Sequence, residues 1–217
     1  MTILGERKGE IMARRTIALF IVLCIGSLSP VLAEILFDNF DLNHSTIGFV
    51  VPIMGGLSEV EGKFTDFSIT MHYDEADLSR SSITVVIQTA SITTGIDQRD
   101  KHLRSPDFFD VASHPEIRFE SSKIEKRGDG WVALGTLQMR GTTKKIELPF
   151  TIKGLHENPE EKKVLIGLSA STTLNRQDYG VAWTHPAVPL FVSDEIRIDI
   201  RLISKQHDRE PAEADAD

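Results

Sequence analysis

Between Glu195 and Leu202 every second residue is aliphatic: Ile196, Ile198, Ile200 and Leu202 share one side of an extended chain, and Glu195, Arg197, Asp199 and Arg201 share the other. Successive side chains of a strand point to opposite faces of its sheet, so this segment offers one face to a core and one to water. Lys145 to Lys153 repeats the pattern with Ile146, Leu148, Phe150 and Ile152, and Ser82 to Thr89 does so with Ile83, Val85 and Ile87. Further strands are expected over Phe40 to Val51, Val60 to Met71, Ile117 to Ile124, Trp131 to Met139 and Val164 to Thr172. Each run is bounded by Gly, Pro, Asp or Asn, and long helical periods are nearly absent, which is the pattern of an antiparallel sheet. Eight such strands predict an all-β domain, either a closed barrel or a sandwich.

The alternation slips by one residue between Phe64 and Phe67, just after Gly62, which predicts a bulge that bends the strand. Gly48, Gly135, Gly167, Ser169 and Ser171 interrupt the faces expected to point inward. Small residues there leave internal volume, or else mark bulges and places where bulky neighbours interdigitate, and taken alone the second reading ranks first. A barrel of eight strands is about the size that either fills itself with side chains or holds one small ligand.

One segment, Ser91 to Pro115, does not alternate, and it is expected to form a short helix and loop across a barrel end, between strands three and four. A second polar cluster, Asn175 to Gly180, begins the connection to the last strand. From Lys205 onward there are five acidic and two basic residues with no apolar period, so residues 204–217 are expected to be a disordered acidic tail.

Residues 1–33 read as a secretory signal rather than as part of the fold. Arg14 and Arg15 precede an apolar run from Thr16 to Leu28, followed by Ser29-Pro30 and Val31-Leu32-Ala33, and cleavage is expected after Ala33. The run is short of the roughly 20 residues that span a bilayer, so no permanent membrane span is expected in the processed chain. The mixed charges before Met12 are untypical of a signal and favour Met12 as the translation start. The lone cysteine, Cys24, leaves with the signal, and the 34–203 domain must hold together through its own core. Export to the periplasm is expected. A net charge of −8, with basic clustering confined to the N-terminus, gives no footprint for nucleic acid.

The ordered series Asp41-x-x-His44-Ser45-x-x-x-Phe49, Gly62-x-Phe64, Ile92-x-Thr94, Arg99-Asp100-x-His102-Leu103, Asp107-Phe108-Phe109-Asp110, Pro115-x-Ile117-x-Phe119, Gly141-x-Thr143-Lys144 and Asn175-Arg176-x-Asp178-Tyr179-Gly180 resembles the YceI family. The resemblance spans about Phe40 to Leu202. It implies an extended lipocalin-like antiparallel barrel whose hydrophobic pore takes a polyisoprenoid or similar long-chain lipid, commonly in the bacterial periplasm, and it makes a homodimer plausible. One departure is visible: many family members carry a His four residues after the motif Phe, where this chain has Ile53 after Pro52. Any role built on that His is lost here, and the entrance near Val51 to Leu57 becomes more apolar.

No catalytic pattern competes with this reading. The seven histidines lack paired ligand spacing, no metal or cofactor site is expected, and no nucleophile elbow, P-loop or dinucleotide glycine pattern occurs. A Ser45, His102 and Asp100 constellation would have to be assembled from distant residues. Phe49, Phe64, Ile83, Val85, Phe119, Leu137, Phe150 and Ile198 are the expected pore wall. Arg99, Asp100, His102, Arg104, Arg176 and Asp178 are the expected polar mouth, where they either meet a lipid head group or simply pair with one another to close the barrel end. Phe108 and Phe109 are expected to cover that end, and His44 to be a hydrogen-bonded structural residue. The preferred function is a non-enzymatic carrier or reservoir for an isoprenoid lipid, quinone tail or fatty-acid derivative. An enzyme acting on such a lipid, or a filled barrel without ligand, are the alternatives.

Overall fold

The computed structural model describes residues 34–207, so the expected signal segment and most of the expected tail lie outside the described residues. Eleven strands form one antiparallel sheet: β1 (Ile35–Phe40), β2 (Thr46–Ile53), β3 (Ser58–Phe64), β4 (Phe67–Tyr73), β5 (Ser82–Gln88), β6 (Ile92–Thr93), β7 (Glu116–Arg127), β8 (Gly130–Met139), β9 (Thr142–Asn158), β10 (Lys163–Asn175) and β11 (Glu195–Gln206). The single α-helix among the described residues, α1 (Asp97–Arg104), lies between β6 and β7. Three staves of the barrel are strands broken in two. β1 and β2 both pair with β11, β3 and β4 pair with β2 and β1, and β6 and β5 pair with β3 and β4. Counted as staves there are eight, running up and down in chain order, and the first pairs with the last to close the barrel.

Each break is patched by side chains. At the first, the buried Ser45 hydroxyl donates to the Ile203 carbonyl and accepts from the Ile203 amide, at 3.3 and 3.1 Å, standing in for a missing rung of the ladder. Asp41 holds the intervening turn by accepting from the Asn43 amide and bonding the exposed His44 ring. The second break, at Thr65 and Asp66, falls where the alternation slips, and there Thr65 bonds Ser91 across the matching gap between β5 and β6.

β11 runs to Gln206, past the expected domain end at 203. Ser204 is buried and Lys205 pairs with Glu161, so polar residues here complete the closure against β1. Gly167 marks the register shift between β9 and β10. Ser169 and Ser171 share the outer face with Asp199 and Arg201, their partners on β11, and the Ser171 hydroxyl bonds Asp199. Gly167, Ser169 and Ser171 are expected on the inner face, but β10 alternates without interruption from Ile166 onward, which puts Ile166, Leu168, Ala170, Thr172 and Leu174 inside and these three outside; the extra residue of the register shift is Lys153 on β9.

The interior is filled unequally along the barrel axis. At the end formed by β1, the end of β4, the start of β5, the end of β7 and the starts of β8 and β10, Phe37, Met71, Ile124, Ala133 and Ile166 are entirely buried. That end is a packed core. The opposite end is roofed by α1 and by the residue 180–194 connection, and beneath this roof the walls stand apart.

Candidate ligand cavity

The space under the roof is a cavity of about 760 Å³, within the roughly 300–1,000 Å³ of small-molecule sites. Its walls are the inward residues of the staves: Ile47, Phe49 and Val51 from β2, Val85 and Ile87 from β5, Ile117 and Phe119 from β7, and Ile196, Ile198 and Ile200 from β11. The regular alternation of each strand is what aims these residues at one volume. Phe108, Phe109, Trp183, Phe191 and Val192 join them from the roof. Polar side chains in the lining are few: Gln98, Arg99 and His102 on α1, Thr172 on β10, and Arg176.

α1 is held in place by its own polar residues. Asp100 is buried and accepts from the Thr93 hydroxyl, the Thr94 amide and the Thr94 hydroxyl. Burial pushes its carboxyl up, but the donors of Thr94 and Thr93 and the charge of Arg104 outweigh burial and leave it below the usual carboxylate value. Arg104 donates to the Ala90 and Ile92 carbonyls at 2.8 and 2.6 Å, tying the helix to β6 and the turn before it. Arg99 bonds Thr94 through Nε and one terminal nitrogen while facing the cavity. His102 bonds Asp107 at 2.8 Å, and its ring meets Phe108 and Trp183 edge-on at 4.9 and 5.2 Å.

Arg176 holds the other half of the roof. It is 5% exposed and donates through Nε to Ser193, through Nη1 to Val181 and Trp183, and through Nη2 to Val192 and the Asp194 carboxylate. These five bonds use all five guanidinium donors and clasp both limbs of the connection between Gly180 and Asp194. Burial lowers its pKa against the opposing pull of Asp194. Arg140 links the two halves of the roof by donating to the Gly180 and Pro106 carbonyls.

Of the expected pore wall, Phe49, Phe64, Val85, Phe119, Leu137 and Ile198 line the cavity. Ile83 and Phe150 face the same interior but lie in the core outside the cavity lining. Of the expected mouth, Arg99, His102 and Arg176 border the cavity, and Arg176 has no donor left for a ligand. Asp100 and Arg104 spend their polar atoms on β6 and its flanks, and Asp178 pairs with Lys144 at 3.1 Å on the surface. Phe108 and Phe109 cover the end as expected. Ser45, His102 and Asp100 are not brought together: their polar partners are Ile203, Asp107, and Thr93 with Thr94 respectively.

Sequence reasoning missed Val181, Trp183, Phe191 and Val192, which sit on a connection without alternation. A signal was present: from Val181 to Ser193 the chain carries no Asp, Glu, Lys or Arg. Among the described residues no three of His, Cys, Asp and Glu gather into a metal site, and no helix is long and apolar enough to cross a membrane.

A closed eight-stave barrel, packed at one end and hollow with apolar walls at the other, defines the architecture of a ligand-holding β-barrel. A model of the YceI-like domain matches residues 39–203, and the chain belongs to that family. It is 33% identical over 153 residues to a UPF0312 protein of Pectobacterium atrosepticum, covering 70% of this chain and 78% of the relative. The crystal structure of BcnA from Burkholderia cenocepacia shares the fold at a TM-score of 0.68 and 23% identity, covering 76% of this chain and 99% of BcnA. A polyisoprenoid-binding domain from Saccharophagus degradans shares it at a TM-score of 0.56 and 14% identity, covering 81% and 100%.

Proposed function

We propose that this protein is a non-enzymatic carrier or reservoir that shields the chain of a polyisoprenoid, or of an isoprenoid quinone or fatty-acid derivative, from water in the periplasm. The observation that carries this reading is the cavity itself, apolar on every wall and bordered by polar side chains chiefly at its roof. Burying one CH₂ is worth about 0.8 kcal/mol, so ten buried chain carbons offer roughly 8 kcal/mol before association costs. Walls of this kind therefore supply affinity without a charged anchor. Arg99 and His102, which with Gln98 are the polar α1 residues at the cavity, supply head-group preference. The name of the Saccharophagus domain supports a polyisoprenoid as the first ligand to test, and the signal-like residues 1–33 support export.

Native mass spectrometry of protein recovered from the periplasm, with identification of what denaturation releases, tests the reading. A stoichiometric long-chain lipid is the expected result. Protein at its bare polypeptide mass, still empty after incubation with polyisoprenoids, quinones and fatty acids, would overturn it.

A further inference from the structure

Two uncharged loops meet at the hollow end of the barrel. One is the turn between β2 and β3, Met54-Gly55-Gly56-Leu57, and the other is Pro186 to Phe191. They are joined backbone to backbone: the Met54 amide donates to the Phe191 carbonyl at 2.9 Å, and the Gly55 amide to the Leu190 carbonyl at 3.4 Å. Neither loop contains an acidic or basic residue, in a chain of which 26% is charged. What they expose is apolar: Leu57 is 83% and Leu190 78% exposed, with Met54 and Val188 beside them and Ile96 on the approach to α1. Elsewhere among the described residues the exposed large hydrophobics are Leu42 and Leu155, far apart in the chain.

Met54 and Leu190 also adopt the left-handed backbone, at φ 53° and 56°. That conformation is costly for a residue with a side chain, and the fold imposes it on two large apolar residues that it then leaves in water. Ile53 and Phe191, next in sequence to Met54 and Leu190, line the cavity, as do Val192 and the exposed Ile96 itself. The exposed apolar rim and the cavity mouth are therefore one continuous surface.

We infer that this rim inserts into the surface of a lipid bilayer, placing the cavity mouth against the acyl layer so that a long-chain ligand passes between membrane and barrel without crossing water. A rim free of charge enters the interface without stripping water from an ion. It also lacks the Lys and Arg that draw proteins to anionic lipid, and the chain as a whole is acidic at −8. The rim thus matches a neutral, zwitterionic surface better than an anionic one. The inference takes its purpose from the lipid-holding reading, but its geometry stands apart from it.

The test is flotation of the protein, in the form the cell delivers, with phosphatidylcholine vesicles and with vesicles rich in phosphatidylglycerol. The double variant Leu57→Asp, Leu190→Asp is compared with Leu155→Asp. Leu57 and Leu190 are too exposed to support the core, and Asp tolerates a left-handed backbone better than Leu, so the double variant keeps its fold. Wild type and Leu155→Asp are expected to float with phosphatidylcholine, and more weakly with phosphatidylglycerol. The double variant is expected to lose about tenfold or more of the partitioning. A wild type that stays unbound, or a double variant that floats as well as wild type, would overturn the inference. So would a double variant whose only change is loss of a dimer in sedimentation, which would assign the rim to a second copy of the chain. Uptake of a soluble fluorescent fatty acid, measured without vesicles, reports the cavity separately: uptake without flotation sinks the rim inference alone, and flotation without uptake sinks the lipid-holding reading alone.

Discussion

The ring of Phe49 lies on the backbone of Gly62, its cross-strand partner on β3, so closely that a Cβ at Gly62 would stand 2.2 Å from the ring's far carbon. Gly135 is hemmed in differently: a Cβ there would meet the Glu120 carbonyl oxygen at 2.3 Å as well as the ring of Phe119. Both glycines are places where an aromatic neighbour occupies the space of the missing side chain.

The two sites therefore respond differently to alanine. In Gly62→Ala the Phe49 ring yields by swinging into the adjoining cavity, at a cost of about 1 kcal/mol, and it takes up ligand volume. In Gly135→Ala a backbone oxygen of β7 must move, and a loss of about 3 kcal/mol or more is expected. Urea denaturation of both variants, with ligand stoichiometry for Gly62→Ala, checks this; equal costs would mean that the Phe49 ring is not free to enter the cavity.

Arg176→Ala takes the donor from four backbone carbonyls under the roof and leaves the Asp194 carboxylate with Gln177 alone, and a loss of about 3–5 kcal/mol is expected. Arg176→Lys recovers little of this, because an ammonium cannot reach five acceptors in a fork. Arg99→Ala, by contrast, removes bonds to Thr94 alone and is expected to cost under about 1 kcal/mol while shifting preference among ligand head groups. Thermal melts and competition binding separate the two. Abolition of all lipid binding in a folded Arg99→Ala protein would show that the chain is not the main source of affinity.

The barrel was legible because alternation survives in every stave, from Ile196 to Leu202 above all. The breaks at Asp41 to Ser45 and at Thr65-Asp66 were only half legible, since a strand that continues past an unpaired residue still alternates on both sides. Alternation marks inward residues but says nothing about position along the axis, so it cannot separate Ile83 and Phe150 from Val85 and Ile198, although the barrel is packed around the first pair and hollow around the second. The mouth was harder still. Arg176 and Asp178 are two residues apart and look like one polar site, yet a guanidinium on a long stem reaches inward to the Val181–Asp194 backbone while the short carboxylate stays at the surface with Lys144. Only the fold decides which way such a side chain turns.

The axial division predicts two classes of wall mutant. Ile124→Ala or Ile166→Ala opens a void in the packed end and is expected to cost about 2–5 kcal/mol with little change in ligand affinity. Ile198→Ala borders space that is already empty, so its stability cost is expected at the low end of that range or below it, while ligand affinity falls by about tenfold. Denaturation and binding isotherms on the same preparations check both halves, and a uniform loss of stability across the three would contradict a hollow end.

Asp100 gives the fold a dependence on acid. Its folded pKa lies below the ordinary value of an aspartate carboxyl, so the native state holds the ionised form more tightly than the unfolded chain does. The stability this contributes is fully present above the unfolded value and is lost as pH falls through the folded one, that is, from about pH 4 downward. Asp100→Asn turns an acceptor of three bonds into a group whose amide opposes the Thr93 and Thr94 donors, and it is expected to lower stability at pH 7 by about 1–3 kcal/mol. The variant has no charge to lose at this position, so the gap between it and wild type should narrow between pH 5 and pH 3. Urea denaturation of both proteins at pH 7, 5 and 3 measures that gap. A difference that stays constant across the range would mean that Asp100 is not held ionised by the donors of β6 and the Thr94 turn.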